Sequence, residues 1–303
     1  MKKLSASKIE TYVFNTANLF IMLVIMVVTL YPFWNTMIVS FNSATDTTRG
    51  GITFWPREFT LQNYRAVFST GTIFHAFWVS VARTVIQTVT GVFFTSMIAY
   101  ALSRKEYIFR KPFTLILVLS MYINAGLIPA YFLMRSLHLI NTFWVYVVPG
   151  MVGAFNFVVI RTYMRSLPES IIESAKIDGC GEFVIFIRII LPLCLPVLAT
   201  VALFVAVGSW NSWFDTMIYN SRNVNLHTLQ YKLMEYLQSS QSQAKSAAAI
   251  GAMGMSQNAA ASMVTPVSIR AAITVVAALP ILVVYPFLQR YFVVGLNVGG
   301  VKE

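Results

Sequence analysis

The chain has 303 residues, of which 57% are hydrophobic and only 11% are charged. Soluble domains carry about 25% charged residues, so one water-soluble core is excluded as the home of this much apolar surface, and a bilayer is the natural one. The net charge of +11 comes without any basic cluster interleaved with aromatics. That argues against nucleic acid and assigns the excess to membrane topology.

The first residues, MKKLSASK, resemble the basic flank of a signal peptide. The apolar run behind them is too long for a signal core and no A-x-A site follows, so an uncleaved first membrane helix is expected after a short terminus, 1–11. Six stretches exceed the roughly 20 apolar residues that a bilayer requires: 12–41, 74–102, 112–136, 141–163, 191–219 and 268–291. In lipid the backbone must satisfy its own polar groups, so these are expected to be helices. Pro129, Pro149, Pro196, Pro280 and Pro286 should kink them. The expected fold is therefore an all-α membrane protein of six helices, with one membrane body over 12–291 and a tail at 292–303.

Six spans put both termini on one side. Thirteen Lys and Arg residues lie on or beside that side and eight on the other, although the other side has the longer loops. The positive-inside bias makes both termini cytoplasmic. Of the outer loops, 42–73 is polar with Trp and Pro, and its FTLQNY piece is suited to a short interfacial helix. The loop 238–263 is rich in Ala, Ser and Gln, a composition compatible with helix or flexibility. Thr265-Pro266 reads as a helix start. No strong internal repeat is visible, so the two-halves signature of many secondary transporters is missing.

The inner loop over 165–190 is unusually built. Pro168 and Glu169 suit the first turn of a short helix, Asp178-Gly179 suits its stop, and Gly181 allows a second change of direction. EFVIFIRIILP then leads into the fifth span. Ala175, Gly179 and Gly181 are small, so another protein could approach closely there. The same pattern also suits an amphipathic pair lying on lipid headgroups with its charges in water.

The segment ESAKIDGCGEFVIFIRIILP resembles the EAA loop of ABC importer permeases: Glu-Ala-Ala, three residues, Gly, nine residues, Ile-x-Leu-Pro. Glu173, Ala175, Gly179, Ile189, Leu191 and Pro192 match in register. Ser174 stands where the second alanine is usual, and Cys180 follows the glycine where alanine is usual. INAGLIPAYFLMRSLHLINTFW, VGSWNSWFDTMIY and YPFLQRYFVVGLNVGGVKE extend the resemblance to maltose-type carbohydrate importer permeases, including those for uronate-containing oligosaccharides. The resemblance implies the type I importer permease fold. It also implies a loop helix that docks into a cytoplasmic ATPase, with Glu173 and Asp178 as polar contacts and Ala175 with Gly179 as the close-approach surface. Ser174, Leu191 and Pro192 complete the motif. The tail residues Gly299, Gly300, Val301 and Lys302 are implied to reach toward the ATPase dimer. The implied partners are a second permease subunit, two ATPase subunits, an external solute-binding protein and an oligosaccharide substrate.

The chain contains no G-x-x-x-x-G-K-[ST], so it cannot cradle ATP by that motif, and ATP with magnesium belongs to the partner ATPases. Cys180 and Cys194, with His75, His138 and His227, form no metal-ligand or catalytic spacing. An enzyme is therefore not expected. Polar groups inside spans are candidate path residues: Arg83 and Gln87 on one face of the second span, with Asn124, Asn156, Asn211, Trp213 and Asp215. The competing readings are an interfacial belt for Trp210 and Trp213, snorkelling for Arg83, and repair of a broken helix for Asn124. The alternative function is a secondary transporter coupled to protons or sodium, which explains six spans and Arg83 but not the loop spacing.

Overall fold

A computed structural model describes residues 6–69, 71–239 and 265–297. Among these residues the protein is helical, with no strand and one isolated antiparallel bridge, Asn42–Phe59. Two compact units are built, one from Met1–Thr70 with Glu235–Val276 and one from Gly71–Met234 with Ala277–Glu303.

The first unit carries the helix Ala6–Ser40, whose Glu10–Ser40 portion is long and apolar enough to cross a membrane. Behind it, residues 41–64 are held by polar side chains. Asn63 donates to the carbonyls of Ser40 and Asn42 at 2.9 Å each, and Asn42 donates to the Asp46 carboxylate at 2.9 Å. Arg57 closes on the same carboxylate at 3.1 Å. The hydrogen bond from Asn42 and the nearby arginines hold the Asp46 carboxyl below the usual carboxylate range. The short helix expected from FTLQNY is present as Gln62–Ser69.

The second unit is organised around the helix Thr72–Ser103, which packs against both Leu195–Asn211 and Ala154–Ser166. Phe157, Ile160, Met164, Ile185, Phe186, Ile190 and Cys194 form its buried core with Ala99 and Tyr100. Gly91 permits a close backbone approach: a Cβ there would lie 3.3 Å from the Gly150 carbonyl, tighter than ordinary contact.

The expected spans differ in their continuity. Glu10–Ser40, Thr72–Ser103 and Val267–Pro286 are unbroken. Phe143–Gly150 and Ala154–Ser166 meet at a 45° bend, and Glu182–Leu193 and Leu195–Asn211 at 83°. The stretch 112–136 is two helices, Arg110–Leu119 and Leu127–Ser136, of 10 residues each. At 1.5 Å per residue each reaches only about 15 Å, half a hydrocarbon core. The cause of that break is local: Gly126 sits at φ +86 and its N–H donates to the Asn124 side chain at 2.9 Å. The stretch 191–219 also ends early, at Asn211, before a separate short helix Phe214–Tyr219. Thr265-Pro266 does open the last helix, Pro266–Asn297. Residues 240–263 of the Ala-rich loop and the tail residues Gly299, Gly300, Val301 and Lys302 lie outside the described residues.

Candidate functional site

The loop over 165–190 folds as a helix, Glu169–Ile177, then a turn, then a second helical segment from Glu182. Glutamate in the first turn and lysine in the last suit the helix dipole. The end is a Schellman cap: Cys180 N–H donates to the Ala175 carbonyl and Gly179 N–H to the Lys176 carbonyl, both at 3.0 Å. Gly179 takes φ +78, which the motif demands and glycine adopts cheaply. The Gly of the motif is thus a helix stop with a physical reason.

The two faces of this helix differ. Ile172 and Ala175 are buried in the core, whereas Glu173, Ser174, Lys176 and Asp178 are exposed, and Ile177 is 86% exposed. The close-approach role expected for Ala175 is therefore corrected: its methyl seats the helix on its own bundle and is not offered outward. Neither the Glu173 nor the Asp178 carboxylate joins an ion pair among the described residues. The exposed Ile177 went unnoticed in the sequence, where it reads as one more apolar residue of a helix.

Charged links tie the helix to the Ser103 end of Thr72–Ser103 and the residues just beyond it. Lys105 pairs with Glu169 at 2.6 Å, and Lys176 pairs with Glu182 at 2.8 Å and Glu106 at 3.4 Å. Tyr100 donates to Glu182 at 2.6 Å. The hydrogen bond from Lys105 lowers the Glu169 carboxyl, and the hydrogen bond to Glu182 raises the Lys176 ammonium. Such exposed pairs contribute little stability each, but together they fix the register of the loop on the bundle.

Beyond the turn, Phe186–Ile190 is a π-helical segment followed by Leu191 and Pro192. Proline lacks an N–H and crowds the carbonyl four residues back, and the wider π turn gives it room. The expected motif residues Leu191 and Pro192 thus sit at the joint between the loop and the fifth span, with Leu191 half-buried and Pro192 exposed.

A second polar cluster lies inside the bundle. Arg83 is 2% exposed. Its guanidinium pairs with both oxygens of Asp215, one at 3.1 Å, and donates to the Ser212 carbonyl at 3.2 Å. It lies 4.6 Å from the Tyr146 ring centroid. The snorkelling reading of Arg83 is therefore corrected: the side chain turns inward because a carboxylate and an aromatic face wait there. Gln87, one turn on, lies against Gly150, where a Cβ would collide with it.

Thr84, Thr88 and Ser209 carry buried hydroxyls without a hydrogen-bond partner among the described residues, as do Nε of Arg83 and Oε1 of Gln87. The spacing Arg83, Thr84, Gln87, Thr88 is a polar helix face that could have been read from the sequence. Asn211 accepts from Gln230 at 3.4 Å, and Trp213 meets Phe214 edge-on at 5.7 Å. Asn156 packs against Gly153, and Asn124 joins none of these, since it repairs the break at Gly126. Trp210 donates to the Ala277 carbonyl at 3.0 Å and is buried, so it packs within the bundle.

Residues 70–298 match the family model "Binding-protein-dependent transport system inner membrane component". The polygalacturonan/rhamnogalacturonan transport system permease protein YtcP of Bacillus subtilis (strain 168) is 34% identical over 93% of this chain and 95% of its own. Protein LplC of the same organism is 36% identical over 96% and 95%. Among solved structures, a chain of a bacterial ABC transporter involved in the import of the acidic polysaccharide alginate superposes with a TM-score of 0.83 at 26% identity, covering 96% of this chain and 100% of that one. The family is the transport component of ABC importers, and hydrolysis of ATP is done by separate ATPase subunits. It implies in general a partner permease, an ATPase and a solute-binding protein, and it disfavours the ion-coupled alternative. A helical loop seated on a bundle of apolar helices suits such a component, and this chain belongs to the binding-protein-dependent transport system inner membrane components.

Proposed function

We propose that this chain is one permease of a heterodimeric ABC importer that carries an oligosaccharide derived from an acidic polysaccharide. Two ATPase copies, with ATP and magnesium, serve it from the inside, and a binding protein delivers substrate from outside. The observation that carries the coupling role is the exposed face of Glu169–Ile177 and its cap: Glu173 and Asp178, two carboxylates without ion pairs among the described residues, beside a nearly bare Ile177. Both termini face the cytoplasm in this reading, as does the loop 165–190. The tail residues Gly299 to Lys302 approach the ATPase dimer. The substrate reading rests on one relative, whose transport system is named for polygalacturonan and rhamnogalacturonan, and on a neighbour from a transporter involved in alginate import.

Mechanically, closure of the ATPases moves the docking helix. Ile172 and Ala175 pass that motion to the core, and the links from Glu169, Lys176 and Glu182 pass it to Tyr100, Lys105 and Glu106 at the end of the central helix. The polar face of Arg83, Gln87, Thr84 and Thr88, with Asn156, Asn211, Trp213 and Asp215, is the path side in this reading. The test is co-purification of the tagged complex from cells that express its operon. Loss of the ATPase in a Glu173→Lys, Ile177→Asp variant at unchanged membrane level supports the reading, and an ATPase that stays bound refutes it.

A further inference from the structure

The second unit holds a polar cavity of about 640 Å³. It lies where the third apolar stretch turns into the fourth, and beside the segment that follows Phe214–Tyr219. Arg135, His138 and Arg222 line it, with Tyr131, Asn141 and Tyr219, and no acidic residue does. Neither arginine makes an ion pair or a side-chain hydrogen bond with a described residue. Both guanidinium groups are exposed, so they are hydrated in the empty protein, and two like charges at one cavity with no carboxylate beside them match an anion. The rings of Tyr131 and Tyr219 stack across the cavity wall at 6.2 Å and 10°.

The cavity is built, not incidental. The helix Leu127–Ser136 ends in a Schellman cap: Leu139 N–H bonds to the Met134 carbonyl and His138 N–H to the Arg135 carbonyl. The left-handed position that glycine usually fills is taken by His138, at φ 54. Asn141 is also left-handed, at φ 58. These conformations disfavour side chains bearing a Cβ, yet here they are fixed from the other wall. Asn141 N–H donates to the Tyr219 carbonyl at 3.1 Å, Asn220 donates to the Thr142 carbonyl at 3.2 Å, and Asn223 donates to the Asn141 carbonyl at 3.4 Å. The loop pays local strain to hold an imidazole and two arginines around a fixed space.

We infer that this cavity is a binding site for a carboxylate-bearing sugar unit, with Arg135 and Arg222 on the carboxylate and the tyrosine pair beside the ring. The site is an entry subsite on this chain that selects acidic over neutral saccharides. This inference rests on the importer reading above and names its substrate class. Geometry favours it: guanidinium forks match a carboxylate in two bonds each, and a cavity of this size lies in the range of small-ligand sites.

The experiment uses the whole complex with its binding protein in proteoliposomes. Uptake of trigalacturonate and of its methyl ester, which lacks the charge, is measured for the parent, Arg135→Gln, Arg222→Gln and the corresponding Lys variants. The expected result is a rise in KM for trigalacturonate of about tenfold in each Gln variant, the size of a lost charge-assisted hydrogen bond, with partial recovery in Lys and no change for the ester. The concentration of binding protein that half-stimulates the ATPase stays the same.

Equal losses for acid and ester, or a shift in that binding-protein concentration, overturn the proposal in favour of a docking surface. Unchanged kinetics overturn it outright while leaving the importer reading standing. A parent complex that moves neither sugar overturns both.

Discussion

Arg83 and Asp215 stand 132 positions apart and form an ion pair inside the bundle, with the guanidinium also resting over Tyr146. The pair joins the central helix to the chain just beyond the break at Ser212, where the fifth apolar stretch stops being helical. Asp215 also accepts from Ser212 Oγ at 3.0 Å and from Thr216 N–H at 2.9 Å, so one carboxylate organises the whole turn. Removing either partner leaves a buried charge uncompensated, which costs about 3–5 kcal/mol. Asp215→Ala and Arg83→Met should each lower the unfolding temperature of the complex in nanodiscs. The double variant should cost less than the sum, the signature of direct coupling. Additive losses would show that the two side chains act separately.

Much of this architecture was legible because its causes are local in sequence. The unbroken helices Glu10–Ser40, Thr72–Ser103 and Val267–Pro286, the start at Thr265-Pro266 and the helix at FTLQNY each depend on a few neighbouring residues and lie where composition put them, whereas 112–136 and 191–219 break at Gly126 and Ser212. The inner loop was legible for the same reason: Gly179 stops a helix that Pro168-Glu169 starts. What the sequence hid depends on long-range partners. Arg83 looked like a snorkelling residue because Asp215 and Tyr146 are distant in the chain. Ala175 looked like an outward surface because nothing in ESAKIDG says which face the bundle will cover. The basic cavity was invisible because net charge averages Arg135 and Arg222 with every other Lys and Arg of the chain.

The stop at Gly179 gives a clean backbone test. A Cβ there meets nothing within 4 Å, so any penalty comes from φ +78 and not from a clash. Placing a β-carbon in that conformation costs roughly 1–2 kcal/mol. Gly179→Ala should fray the end of the docking helix and weaken ATPase retention, and Gly179→Asn should do so less, since Asn tolerates the left-handed region. Gly179→Ala retaining the ATPase at parental level in a detergent titration would mean that the cap geometry does not limit docking.

Ala175 and Ile177 separate seating from docking. Ala175 is 6% exposed, so Ala175→Leu overpacks the core and should destabilise the subunit by about 1–3 kcal/mol. Ile177 faces outward, so Ile177→Asp should leave the unfolding temperature of the isolated permease pair unchanged while ATPase binding falls. The opposite pattern, a stable Ala175→Leu variant and an unfolded Ile177→Asp variant, would reverse the two faces of the helix.

Asp46 anchors the polar loop behind the first helix, and its carboxyl is held below the usual range by Asn42, then by Arg57 and Arg49. A depressed folded value means that the carboxylate's contribution is fully present above the unfolded value and is lost as pH falls through the folded one. At neutral pH, Asp46→Asn should therefore lose hydrogen-exchange protection across 41–64, because Arg57 loses its anion. As the medium is made acidic enough to protonate Asp46 itself, the parent should lose the same protection and the two proteins should converge. Tryptophan emission offers a second readout, since Trp34 donates to the Phe54 carbonyl at 3.1 Å and meets Trp55 edge-on at 6.0 Å within that loop's reach. A gap between parent and variant that persists unchanged into strong acid would show that Asn42 and Asn63, not the Asp46 charge, hold the loop.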